Sequence, residues 1–400
     1  VPATIRVVLT GDNHLSRFYG RMSPDKLDKR RRRLRRGFAA AVEHALEVHA
    51  DFFLQAGDLF DTPIPNNGDR TFIARELARL RKANITVCGI AGNHDLPRMR
   101  TEESGRMPQD IYAELGAIHL FDETRTINAQ EYVCKGLRVA VGGLSPAPSL
   151  QSTQDPLAGI PFPISDADIG ILLLHHTLEG HTFVGYDECV VRQASMQDLV
   201  GVQYLFAGHV HRSREMQIGP LTAIVPGATE RMRFGEMDMT PGFYDLLLGV
   251  AGPVDIRHIK TAAQPRGELR LRTTDLPADQ EPDAAIISRL EPFCTEETMV
   301  KLQLEGPLTR DRFHSLNLRR VIEFASQRSF SFEIDTTGLS IEDELHRVAG
   351  RGIRVSQPEE IAAVASELAA EAQDEATGSL ILEARDLLLG RYQTLSGVET

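Results

Sequence analysis

IRVVLTGDNH (residues 5–14) decides how the rest of the chain is read. Its apolar half, rich in valine and leucine, has the length and composition of a buried strand. Gly11 then lets the backbone turn sharply, and Asp12-Asn13-His14 follows at once. The same order recurs along the chain. FFLQA (52–56) leads into Gly57-Asp58-Leu59-Phe60-Asp61, and ITVCGIA (85–91) into Gly92-Asn93-His94-Asp95. IGILLL (169–174) runs into His175-His176, and VQYLFA (202–207) into Gly208-His209-Val210-His211. Helical periodicity fills residues 27–49 and 70–82, while further apolar runs at 137–143, 221–225 and 243–249 come with short connections. Strand alternating with helix, plus an antiparallel portion, predicts a layered α/β sandwich with its working loops at the carboxyl ends of the strands.

Those strand ends carry one kind of chemistry. Ends of neighbouring strands lie side by side, so residues far apart in sequence converge on one edge. Carboxylate, imidazole and amide oxygen are ligands for borderline divalent ions. Asp12-x-His14 and His209-x-His211 would each present two side chains on one face if the chain stays extended there. Together the clusters offer enough donors for two metals about 3.5–4 Å apart. Singly, each has a plainer reading: a strand-end Asp as a turn former, an isolated His as a core residue, GNHD as a turn. Five such clusters in order, each closing an apolar strand, outweigh those readings.

The bulk properties bound the setting. Four hundred residues suit two or three domains. With 42% hydrophobic and 25% charged residues the chain is an ordinary globular one. It has no apolar run of membrane-spanning length, its first residues read as a strand rather than a signal peptide, and no Walker-type GxxxxGK[ST] occurs. Cys88, Cys134, Cys189 and Cys294 are scattered without a CxxC, so a reducing cytoplasm is expected. The net charge of −12 weighs against a nucleic-acid partner. A local patch opposes it: Lys26, Lys29, Arg30, Arg31, Arg32, Arg33, Arg35 and Arg36 crowd one segment. Arg30, Arg31, Arg32 and Arg33 are candidate contacts to a DNA backbone, or else the solvated face of a helix whose apolar stripe is Leu27, Leu34, Phe38, Ala41 and Ala45.

A polar stretch with three prolines across residues 261–283 marks a boundary. The expected domains are 1–265, a small α+β module at 266–350 and a helical segment at 351–400. The module reads β (268–273), α (283–291), β (298–304), α (309–326), β (329–334). Leu380, Ala384, Leu387, Leu388 and Arg391 fall at the spacing of a terminal amphipathic helix.

D-x-H, GD, GNHD, H and GHxH in this order resemble the calcineurin-like metallophosphoesterase superfamily over residues 5–250. Within it, GDLFD, Pro226-Gly227-Ala228-Thr229-Glu230-Arg231 and Gly242-Phe243 resemble the SbcD-type nucleases. These are DNA-repair exonuclease subunits related to the meiotic-recombination-eleven nuclease, and the module at 266–350 sits where that family has its capping domain. The resemblance implies that Asp58 bridges two metals, with Asp12, His14 and His211 completing one site and Asn93, His175 and His209 the other. His175 is preferred to His176 because the family keeps the histidine followed two positions later by a small polar residue, here Thr177. His94 would be the catalytic histidine, its imidazole oriented by Asp95. Two divalent ions are expected, manganese first, with magnesium, iron(II) and zinc as alternatives. The implied function is a two-metal DNA nuclease, exo- or endonucleolytic, that hydrolyses phosphodiesters by a metal-activated hydroxide. It would work as a homodimer with an SbcC-type coiled-coil ATPase, which the terminal helix either receives or leaves untouched. Two alternatives stand beside it: a phosphodiesterase of small esters or nucleotides, and a DNA-binding scaffold that has lost catalysis.

Overall fold

The computed structural model describes residues 3–20, 22–97, 106–181, 188–342, 357–370, 372 and 374–396. The strand that opens the chain, β1 (Thr4–Thr10), shows how the layers arise. Ile5, Val7 and Leu9 face a core shared by two sheets, whereas Val8 faces the helical layer, as the period of two requires. That layer holds α1 (Pro24–Glu47) and α2 (Asn67–Lys82). Pro24 starts α1 where no amide partner is needed, and the Asn66 side chain caps α2 by accepting from the Asp69 amide at 3.0 Å. Leu34, Phe38, Ala41, Val42 and Ala45 form the buried stripe of α1. A short helix, α3 (Asp110–Glu114), follows.

The first sheet runs β14-β13-β1-β2-β3-β4. β2 (Phe52–Ala56), β3 (Thr86–Ile90) and β4 (His119–Phe121) are parallel to β1; β13 (Gly242–Gly249) pairs antiparallel with β1, and β14 (Gly252–Lys260) antiparallel with β13. The second runs β11-β12-β10-β7-β6-β5. β6 (Leu137–Leu144), β7 (Ile169–His175), β10 (Tyr204–Gly208) and β12 (Leu221–Val225) are parallel, with β5 (Asn128–Cys134) and β11 (Arg214–Ile218) as antiparallel edges. Phe52, Leu54, Ile171, Leu173 and Phe206 fill the space between the sheets. The outer face of the second sheet packs under a smaller cluster that includes Met196 of α4 (Gln193–Gln197) and residues of the ribbon β8 (Thr177–Leu178) and β9 (Val190–Val191). The expected layered α/β sandwich with an antiparallel portion is what forms. The edge strands β5, β11 and β14 went unexpected because half of each faces water and blurs the apolar pattern.

Beyond residue 265 a separate sheet begins, β15 (Arg266–Arg272), β16 (Met299–Thr309) and β17 (Ser331–Glu342). It carries α5 (Pro282–Leu290) and α7 (Leu318–Arg328) on a core of Leu271, Ile286, Leu302 and Val321. The expected helix 309–326 is two helices, α6 (Arg310–Ser315) and α7. Asn317 separates them by accepting the Arg320 amide at 3.1 Å, a fresh N-cap in mid-pattern. By compactness residues 1–306 with 315–339 form one unit, and 307–314 with 340–400 a second. The second holds α8 (Gln357–Ala370) and α9 (Glu375–Ser396). Leu380, Leu387 and Leu388 of α9 are exposed, and the side chain of Arg391 lies outside the described residues. No helix among the described residues is long and apolar enough to cross a membrane.

Candidate metal centre

The loops that follow β1, β2, β3, β7 and β10 meet at the carboxyl edges of both sheets, as open α/β sheets favour. Two glycines make the approach possible. Gly57 has φ +89°, and a Cβ on it would lie 2.3 Å from His175 Nδ1. A Cβ on Gly92 would lie 2.0 Å from Asp58 Oδ1, so only hydrogen fits there. The backbone is not extended through the motifs. Asp12, His14, Asp58 and His209 have φ of 47°, 46°, 52° and 91°. That region costs roughly 1–3 kcal/mol per residue. The shared face expected for Asp12-x-His14 and His209-x-His211 does not form along an extended strand: Asp12 and His14 meet through left-handed residues, and His211 joins them while His209 stands beside Asn93.

The imidazole tautomers are set from outside. His14 Nδ1 lies 2.9 Å from Asp61 Oδ1, and His211 Nδ1 lies 2.9 Å from Glu236 Oε1. His209 Nε2 is 2.7 Å from Glu188 Oε2, and His175 Nδ1 is 2.8 Å from the carbonyl oxygen of Ala56. These partners are acceptors, so a neutral ring that donates outward turns a bare lone pair inward. The inward nitrogens then meet only further acceptors. His14 Nε2 faces His211 Nε2 at 3.0 Å. His175 Nε2 stands 3.2 Å from Asn93 Oδ1 and 3.3 Å from Asp58 Oδ2, and His209 Nδ1 is 3.1 Å from Asn93 Oδ1. Lone pairs crowded to hydrogen-bond distance repel unless positive charge stands between them. A divalent cation fits this donor set of carboxylates, imidazoles and an amide oxygen.

The donors fall into two neighbouring groups linked by a third. Asp12, His14 and His211 form one; Asp12, Asp58 and His175 form another, with Asn93 and His209 beside it; His14, Asp58 and His94 form the link. Asp58 lies between the two, its Oδ2 also 3.6 Å from His14 Nε2. Titration reflects the same demand for positive charge. Burial opposes ionising Asp58, yet His175 and His14 hold its carboxyl far below the usual range. Burial opposes charging His175, yet Asp58 raises it to about 9. His211 is likewise raised against its burial, by Glu236 and Asp12, whereas burial prevails at His14 and lowers it. Burial also opposes ionising Glu236, but the bond to His211 brings it down to about 2.

His94 lines the mouth of this centre with 37% of its side chain exposed. Its amide donates to Asp58 Oδ1 at 2.9 Å, and its Nδ1 lies 3.3 Å from the Asp61 carbonyl oxygen. Asp95 does not orient that ring as expected. Its buried carboxylate accepts the amides of Leu59, Phe60 and Gly92 at 3.2, 2.9 and 3.0 Å, so it pins the backbone that presents Asp58. Burial and the Asp58 charge raise its carboxyl to about 7. His176 is buried and belongs to none of the donor groups, and burial lowers it to about 3. Asp61, Glu188 and Glu236 were missed as site residues. Asp61 was visible inside GDLFD, whereas Glu188 sits in a loop and Glu236 closes a short 3-10 turn, neither within a motif.

The arginine segment is corrected too. Arg30 is fully buried: it donates to Gln264 Oε1 at 2.9 Å and pairs with Glu230 at 3.1 Å. Arg33 pairs with Glu297, and exposed Arg32 pairs with Asp28 at 3.0 Å. Arg30 cannot touch DNA; it ties α1 to the PGATER segment instead. A cleft of about 310 Å³ opens over the centre, with Arg17 and Arg233 on its rim.

Side chains able to hold metal at the edges of a two-sheet sandwich define a class, and the chain belongs to it: the calcineurin-like phosphoesterase family, whose model matches residues 5–213. It is 30% identical over 212 residues to the DNA double-strand break repair protein Mre11 of Thermoplasma acidophilum, covering 51% of this chain and 52% of that protein. It is 29% identical over 301 residues to Mre11 of Haloferax volcanii, covering 75% and 61%. The metallophosphoesterase YhaO of Bacillus subtilis is 29% identical over 212 residues, covering 51% and 48%. The chain spans about half to three fifths of the length of these relatives.

Proposed function

We propose that the chain is a two-metal DNA nuclease, with Asp58 bridging, Asp12, His14 and His211 on one ion, and Asn93, His175 and His209 on the other. The observation that carries the reading is the inward convergence of imidazole nitrogens with carboxylate and amide oxygens. Divalent cations, manganese first, would polarise the phosphodiester and lower the pKa of a water to near neutrality when bound. The chain's own residues do the rest. Asp61, Glu236, Glu188 and the Ala56 carbonyl hold four rings in the ligating tautomer. Asp95 fixes the Asp58 loop. His94, its Nδ1 3.3 Å from the Asp61 carbonyl oxygen, is the group that would protonate the leaving oxygen. Similarity to Mre11 proteins supports DNA as substrate; in that reading the chain pairs as a homodimer, takes an SbcC-type ATPase partner and works in the cytoplasm, with residues 266–350 as cap and 351–400 as helical segment.

His94→Ala is expected to keep both metals and lower turnover by roughly 10²–10⁴. Metal content and kcat on end-labelled duplex and single-stranded DNA check this, and near-wild-type turnover removes His94 from the chemistry. A second reading, hydrolysis of small phosphodiesters, is favoured by the size of the cleft, about 310 Å³, which suits a single esterified nucleoside. Cleavage of a chromogenic diester without cleavage of DNA selects it.

A further inference from the structure

A second groove, about 570 Å³, lies beside the metal centre and shares a wall with it. Phe18, Arg31, Asp61 and Ile64 line it. The shared wall is the Arg17–Asp61 ion pair at 2.7 Å, whose carboxylate also holds His14. Asp61 is thus already neutralised, and the groove's remaining charge is Arg31. Arg31 has a buried Nε without a partner and makes no ion pair among the described residues. Phe18 is 70% exposed, and Ile64 opposite it 81%. Among the Phe and Tyr side chains that the structure describes, Phe18 is the exposed one.

The walls are built rather than slack. Phe18 lies four positions after His14 on the same loop. Ser16 on that loop donates to Asp69 at 2.7 Å and accepts from the amide and side chain of Asn66, which fastens the Ile64 loop to it. A wet aromatic face, a cation lacking an anion and a fixed position beside a phosphoesterase centre match one kind of occupant. Every nucleobase has a π-face to stack, and every nucleotide brings a phosphate.

We propose that this groove seats an unpaired nucleotide flanking the scissile phosphate, its base on Phe18 and its phosphate on Arg31. The proposal rests on the nucleic-acid reading above and deepens it: the preferred substrate is a single strand or a frayed end, because a base held in a duplex stack has no free face for Phe18.

The test compares Phe18→Ala, Phe18→Trp and Arg31→Ala with wild type in the full chain with manganese. It reads the ratio of kcat/KM for a short single-stranded oligonucleotide to kcat/KM for bis(p-nitrophenyl) phosphate. Phe18→Ala should lower the ratio roughly fivefold or more, and Phe18→Trp should restore it. Arg31→Ala should flatten the salt dependence of oligonucleotide binding by about 0.7 in log–log slope, and it keeps the test open if the loop variant does not fold. An unchanged ratio in Phe18→Ala, or an unchanged salt slope in Arg31→Ala, overturns the subsite while the nuclease stands. A wild-type chain that hydrolyses the small ester yet neither binds nor cuts the oligonucleotide overturns both.

Discussion

Asp58→Asn leaves a protein that retains little divalent metal and hydrolyses phosphodiesters at least ~10³-fold more slowly, the loss expected when paired Lewis acids leave a site. The reason is position. Its carboxylate stands between the two donor groups, 3.3 Å from His175 Nε2 and 3.6 Å from His14 Nε2. An amide keeps the shape but loses the charge, and one of its two ends is a donor, so it cannot serve both groups. The His94 amide, which Asp58 Oδ1 accepts at 2.9 Å, can still bond to the Asn oxygen, so the loop should survive the change. Metal per chain after dialysis, read beside turnover, decides the matter. Two metals retained by Asp58→Asn would falsify the bridging assignment.

The second large effect concerns stability rather than chemistry. Arg30→Ala removes the cation from a fully buried site and strands Glu230, itself 2% exposed. Breaking a buried ion pair from one side costs roughly 3–5 kcal/mol. For a unit of this size that is roughly 4–7 °C in melting temperature. The guanidinium also donates to Gln264 and to the Arg231 carbonyl, so the loss reaches the segment from Glu230 to Gln264. Arg32→Ala is the matched control. Arg32 has 55% of its side chain exposed and, among the described residues, pairs with Asp28 one turn away, a contact worth less than about 0.5 kcal/mol. Thermal melts of the two variants should therefore differ sharply. Equal melting temperatures would mean that charge at residue 30 does not hold α1 to its neighbours.

The contrast between Arg30 and Arg32 shows where sequence reading stops. The apolar strands and their terminal Asp, Asn and His clusters were legible because each is a local pattern, and a single sheet edge is enough to gather them. Burial of Arg30 was not, because its partners Glu230 and Gln264 lie two hundred and more positions away in sequence. Glu188 and Glu236 escaped for the same reason: each finds its histidine only after folding, across 21 and 25 residues of loop and strand. Asp95 was placed near His94 by adjacency, but neighbouring side chains on a turn point apart, and its carboxylate went to the backbone amides. Left-handed backbone at Asp12, His14, Asp58 and His209 leaves a weak trace, since Asp and His tolerate it better than most residues.

The donors come from both sheets and from opposite ends of the phosphoesterase fold: His14 meets His211 across 197 positions of chain. A cation gripped by such a pair acts on the polypeptide as a removable cross-link. Closing so long a loop withholds freedom from the unfolded chain, much as a disulfide does, though a chelator can undo it. The ions would then clasp the seam between the two layers as well as serve the reaction. Metal supply would set how long the fold lasts along with how fast it works.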